Sequence, residues 1–138
     1  MIDQLVLSTV MVVITVTMHG AGIAGLARAL QFDPASAEAH HHFMPRQAVL
    51  ILIIVLALFT LHGIEIWLYA ALHLFPNAVV DLETAVYFST ITYAGIGFDD
   101  AEMARRWRLV SAIEGVNGII LLGWSTAFFV TVVARLRR

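Results

Sequence analysis

Two adjacent carboxylates, Asp99 and Asp100, close the stretch TITYAGIGFDD, in which Gly95 and Gly97 alternate with other residues. Glycine at every second position suits a backbone that changes handedness from residue to residue, because glycine alone enters the left-handed region without steric cost. The aspartates either face solvent on a loop or, brought together, attract cations, divalent ones above all. A second set of chemical groups sits in apolar surroundings: His62 and Glu65 lie three apart, and Glu114 and Asn117 repeat that spacing. Residues three apart share a helix face, and ionisable groups inside a membrane usually pair with one another. A His62–Glu114 contact that locks two helices together is expected, with proton sensing or a proton path as the alternative. His40, His41 and His42 form a third group; three adjacent histidines point in different directions, so a solvated loop is favoured over a metal site.

The elements that must hold these groups follow from composition. Of 138 residues, 60% are hydrophobic and only 13% charged, which excludes an ordinary soluble domain. With no cysteine there is no disulfide framework or thiolate metal site, and with no lysine and a net charge of -2 there is no surface for nucleic acid. No nucleophile–base pair or metal triad stands at workable spacing, so an enzyme is not expected. A bilayer core of about 30 Å needs roughly 20 helical residues, and three segments meet that length, near 4–30, 48–74 and 109–134. The first has no basic leader or small-residue cleavage site and is expected to be retained. Its GAGIAG matches a dinucleotide fingerprint by letter only, and close helix packing through small residues is expected instead. Arg28, Arg46, Arg135, Arg137 and Arg138 place the first loop and the C-terminus in the cytoplasm, with the N-terminus outside. Trp67, Trp107 and Trp124 suit interface or packing roles.

Between the second and third spans, DLETAVYFSTITYAGIGFDD is too polar for another crossing. Asp81, Glu83 and Thr84 favour a short helix start, and a glycine loop follows. Irregular backbone at membrane depth survives only when protein shields it or it lines a water-filled path. The expected layout is an all-α chain of three transmembrane helices with one re-entrant helix and loop.

That layout resembles the pore domain of the tetrameric potassium channel superfamily, over roughly residues 48–138. AVYFSTITYAGIGFDD aligns without gaps to the pore helix and the TVGYGD filter, and RLVSAIEGVNGIILLGWSTAFF looks like an inner helix with hinge glycines at Gly118 and Gly123. The resemblance implies an extra N-terminal helix over 1–31, as in small bacterial members, a cytoplasmic loop over 32–47, and a pore domain over 48–138. Within the pore domain it implies an outer helix 48–75, a pore helix 81–93, a filter 95–99 and an inner helix 107–137. It further implies a homotetramer in a lipid bilayer, a bacterial inner membrane for its place, no cofactor, and K+, Na+ or Ca2+ as permeant or bound cations.

The filter register rests on backbone sterics: Gly95-Ile96-Gly97-Phe98-Asp99 keeps glycine at left-handed positions, whereas a one-residue slip would force β-branched Ile96 into one. Gly95 then stands where the family has threonine, Phe98 where it has tyrosine, and Asp99 where it has the final glycine. Phe88, opposite Phe98, offers no donor either. These departures imply relaxed potassium selectivity, and Asp99 and Asp100 would form cation-attracting rings at the outer mouth. Ile119, Leu122, Thr126 and Val130 are carried over as cavity-lining. The function expected is a passive, poorly selective cation channel; the alternative is a channel-like protein that no longer conducts and acts as a binding, sensing or scaffold subunit.

Overall fold

The computed structural model describes residues 1–31, 45–75, 79–97, 104–105 and 107–136. Four helices account for nearly all of them: α1 (Ile2–Gln31), α2 (Pro45–Leu74), α3 (Leu82–Tyr93) and α4 (Arg108–Leu136). No strand occurs among the described residues. The three long helices are each apolar and long enough to cross a membrane, at about 1.5 Å of rise per residue. Large apolar side chains such as Val13, Phe59, Ile64 and Ile120 are exposed on their outer faces. Such surface is untenable in water but natural against lipid or another subunit.

Polar contacts fix how the helices run. Thr15 and His19 of α1 meet Asn117 and Ser125 of α4 in the same order, so α1 and α4 are parallel. His62 and His73 of α2 meet Ser125 and Glu114 in reverse order, so α2 runs antiparallel to both. Gln47 Nε2 donates to the Leu136 carbonyl oxygen at 3.2 Å and ties the far ends of α2 and α4.

The interior is built in tiers. Ile23, Ile54 and Leu58 form one apolar cluster with Leu61 and Phe128 against it. Met11, Tyr69, Tyr93 and Leu121 form the middle one, and Ala70, Val79, Ala85 and Phe88, with Trp107 against them, form the third. The small residues expected at helix contacts are used as such at two positions. A Cβ on Gly22 would stand 2.8 Å from the Leu61 side chain, and one on Gly20 would stand 3.2 Å from the Trp124 ring.

α3 begins because Asp81 caps it. The Asp81 carboxylate accepts from the Thr84 backbone N–H at 2.8 Å and from the Thr84 hydroxyl at 3.0 Å. These donors, the backbone one first, hold the Asp81 carboxyl below the usual aspartate range. The helix stops where the carbonyl of Ile91 accepts the N–H groups of Ile96 (3.0 Å) and Gly97 (3.3 Å). Gly95 and Gly97 have φ of 72° and 96°, conformations open to glycine and strained for other residues.

α4 packs directly onto this end of α3 through bare backbone. A Cβ on Gly118 would lie 2.2 Å from the Tyr93 carbonyl oxygen, and one on Gly115 would lie 3.2 Å from that of Thr92. α4 runs unbroken through Gly118 and Gly123. Close approach therefore accounts for Gly118 in this structure, whereas nothing lies within 4 Å of a Cβ on Gly123.

Candidate functional site: a buried polar column behind a glycine loop

The glycine loop and a column of buried polar side chains adjoin at the end of α3. On one side, an open groove is lined by Thr92, Gly95, Gly97, Ser111, Gly115 and Ile119. Ile96 projects between the two glycines and is exposed. Phe98, Asp99 and Asp100 lie outside the described residues, as do His40, His41 and His42. Along α4, Ile119, Thr126 and Val130 are exposed, while Leu122 is half-buried against the middle cluster.

On the other side, Tyr93 hands the loop over to the column. Its hydroxyl donates to Glu65 Oε2 and lies 2.9 Å from His62 Nδ1. Glu65 Oε1 is 2.9 Å from His19 Nδ1. The two imidazoles converge again on one hydroxyl, with His62 Nε2 at 3.0 Å and His19 Nε2 at 3.2 Å from Ser125 Oγ. Each of the four helices contributes to this cluster. Glu65 and His19 are completely buried, and the Trp124 ring covers His19 at a centroid distance of 5.4 Å.

A second tier holds Asn117, whose Nδ2 donates to Thr15 Oγ1 at 2.8 Å and to the Tyr69 hydroxyl at 3.2 Å. A third holds the His73–Glu114 pair, Nε2 to Oε2 2.7 Å, with both side chains fully buried. Phe88 packs edge-on against the His73 ring, at 5.4 Å between centroids. Leaving one partner of such a pair alone in the interior costs about 3–5 kcal/mol, so these residues hold one another in place.

The structure thus gathers His62, Glu65, Glu114 and Asn117 into one column but corrects the expected His62–Glu114 contact. Glu114 pairs with His73, and His62 with Tyr93, Ser125 and Glu65. The cause is axial depth. Eleven residues separate His62 from His73 on α2 and Ser125 from Glu114 on α4, and the antiparallel register matches them pairwise. At about 1.5 Å per residue, His62 and Glu114 are some three turns apart. His19 of α1 joins His62 and Glu65 of α2 here, with one nitrogen or oxygen atom of each within 4.8 Å of the others.

His19, His73, Tyr93 and Ser125 have no spacing signal that marks them. The usable signal was simpler, since His19 and His73 are ionisable groups inside apolar spans, and such residues face protein or water rather than lipid.

This arrangement can position a glycine loop at the end of a short helix and brace it from behind with hydrogen bonds. No curated protein and no solved structure matches the chain. A family model described as Ion channel does match, over residues 48–135, which takes in α3, the glycine loop and nearly all of α2 and α4 but not α1. By that match, and with three helices fit to cross a membrane, the chain is an integral membrane protein that belongs to this ion channel family, within the potassium-channel-like superfamily.

Proposed function

We propose that the chain is the pore-forming subunit of a homotetrameric, passive cation channel. Gly95-Ile96-Gly97-Phe98-Asp99 is its filter and selectivity for potassium is poor. The observation that carries this is the alternation at the end of α3. Gly95 and Gly97 take positive φ on either side of Ile96, and alternating handedness is what turns successive carbonyls toward one line. Rings of such carbonyls replace the hydration shell of an ion. A single chain cannot surround an ion this way, and exposed loop amides at membrane depth need a protein or water partner. Three further copies around the loop would supply both the missing carbonyls and the shield.

In this reading α2 is the outer helix, α3 the pore helix and α4 the inner helix. Ile119, Thr126 and Val130, exposed on α4, face the path below the filter. Gly95 in the threonine position removes a hydroxyl ring, which loosens the innermost site. Asp99 and Asp100 add two carboxylate rings at the mouth that concentrate cations. The N-terminus is external and the C-terminus cytoplasmic. The test is flux of potassium and sodium into liposomes holding the purified protein, with cysteine cross-linking beside Asp100. Passive flux of both ions and a ladder ending at tetramer support the proposal. A ladder ending at dimer, or no flux of any cation from a folded tetramer, refutes it.

A further inference from the structure

The cluster around Glu65 is a closed ring, and its hydrogen bonds can be counted. Glu65 Oε1 meets His19 Nδ1, His19 Nε2 meets Ser125 Oγ, Ser125 Oγ meets His62 Nε2, His62 Nδ1 meets the Tyr93 hydroxyl, and that hydroxyl meets Glu65 Oε2. Each of these five contacts needs one proton between its heavy atoms. An ionised Glu65, two neutral imidazoles, one tyrosine hydroxyl and one serine hydroxyl supply only four. One contact would then set two lone pairs against each other inside the protein, beside an uncompensated buried charge. Both are costly away from water.

We infer that this ring is a proton-binding site: the folded chain holds one proton more than its neutral histidines and ionised Glu65 supply, shared between His19 and His62 through the Ser125 hydroxyl. With that proton on His19, its Nδ1–H donates to Glu65 and its Nε2–H to Ser125. Ser125 then donates to His62 Nε2, His62 Nδ1–H to Tyr93, and Tyr93 to Glu65. With the proton on His62, the bonds through Ser125 reverse and all five contacts stay filled. Interconversion moves one proton from His19 Nε2 to Ser125 Oγ while Ser125 passes its own to His62 Nε2, so the serine is unchanged. The imidazoles hold the proton in preference to the carboxylate because imidazole is the more basic group by about two pK units.

Every helix packed on the ring is accounted for. α1 brings His19, α2 His62 and Glu65, α3 Tyr93, and α4 Ser125. Tyr69 of α2, bonded to Asn117, and Glu114 of α4, paired with His73, are further titratable groups of the column. The ring ends on the last residue of α3, two positions before Gly95. Loss of the proton therefore alters the brace on the glycine loop, and does so whether or not the loop conducts ions.

The amide Glu65→Gln discriminates. A glutamine offers one N–H and one carbonyl to the same two neighbours, so five protons fill five contacts with both histidines neutral, and the ring survives without the extra proton. The experiment is nitrogen-15 NMR of histidine-labelled protein in liposomes near neutral pH, with infrared spectra of the carboxyl region. His19→Gln and His62→Gln assign the signals. One imidazolium on His19 or His62 that is present in the parent and lost in Glu65→Gln supports the proposal, and a protonated Glu65 carboxyl beside two neutral imidazoles overturns it. Two neutral imidazoles beside an ionised Glu65 in the parent overturn it, as does an imidazolium on His19 or His62 that survives Glu65→Gln. A metal ion retained by the parent through His19 and His62 also overturns it, since it would occupy the contacts counted.

Discussion

Gly118→Ala tests whether the inner contact between α3 and α4 is built from bare backbone. The added Cβ would meet the Tyr93 carbonyl oxygen at 2.2 Å and the Tyr93 carbonyl carbon and ring carbon Cγ at 2.8 Å. Carbon contacts rest at about 3.5–4.0 Å, so the helices must separate by about 1 Å. The obstacle is main chain, which cannot rotate away. Overpacking costs about 1–3 kcal/mol, and the upper part of that range applies here. Alanine's helix preference over glycine returns about 1 kcal/mol. The net loss is about 2 kcal/mol per chain, close to thirtyfold in the folding equilibrium. The shift also pulls Tyr93 away from Glu65 and His62. Gly123→Ala is the control, because nothing lies within 4 Å of its Cβ, and it should melt at or above the parent. Thermal unfolding in detergent, followed by near-ultraviolet circular dichroism of the tyrosines and tryptophans, reads both. Equal melting of the two variants and the parent would refute the packing, and unchanged melting with altered flux in Gly118→Ala would give the residue its hinge role instead.

Three further outcomes are expected. Glu114→Ala leaves His73 buried without its 2.7 Å partner and should lower stability by about 3–5 kcal/mol; a melting curve matching the parent would contradict the pair. Asp81→Ala should fray the start of α3, with less helix and altered Tyr87 and Trp107 fluorescence, while Asp81→Asn keeps the cap. Because the folded Asp81 carboxyl is held low, its contribution is present in full above the ordinary aspartate range. It is lost as pH falls through the lowered folded value, and a contribution lost on raising pH would reverse the assignment. In the filter, Asp99→Gly should turn reversal potentials toward potassium over sodium, where a hundredfold preference is about 2.7 kcal/mol, whereas Gly95→Thr would put a β-branched residue on a backbone at φ 72° and should destabilise the loop. A parent already strictly potassium-selective would show that the filter tolerates both departures.

The spans and the short helix were legible because their signals are local. An unbroken apolar run of bilayer length reads as a crossing from composition alone, and Asp81 followed by Thr84 marks a helix start that the structure forms at 2.8 Å. The bounds moved by a few residues, as α2 begins at Pro45 and α4 at Arg108. Partner choice was not legible. Periodicity says which face a residue occupies, and His62 and His73 share one, since eleven residues complete three turns. It does not say how deep one helix stands against another. That offset depends on segments between the spans and on contacts such as Gly118 against Tyr93, whose meaning appears only when both helices are in place.

The family match stops short of α1, yet the polar column is incomplete without it. Delete α1 and Glu65 loses the His19 imidazole at 2.9 Å, Asn117 loses the Thr15 hydroxyl at 2.8 Å, and Ser125 loses one of its two imidazole partners. Apolar packing alone could not fix its place, because helices in lipid gain no hydrophobic drive from meeting and depend on close approach and hydrogen bonds. Gly20 and Gly22 supply the approach, against Trp124 and Leu61. His19 and Thr15 supply the bonds. Polar groups in a core tend to select one register over its neighbours, since a one-turn slip strands every buried partner at once. For α1 a slip would strand His19 against apolar surface and leave Glu65 charged beside a broken ring. The first helix is therefore a structural part of the brace behind the glycine loop, and a chain cut to residues 45–138 should lose that brace before it loses its remaining helices.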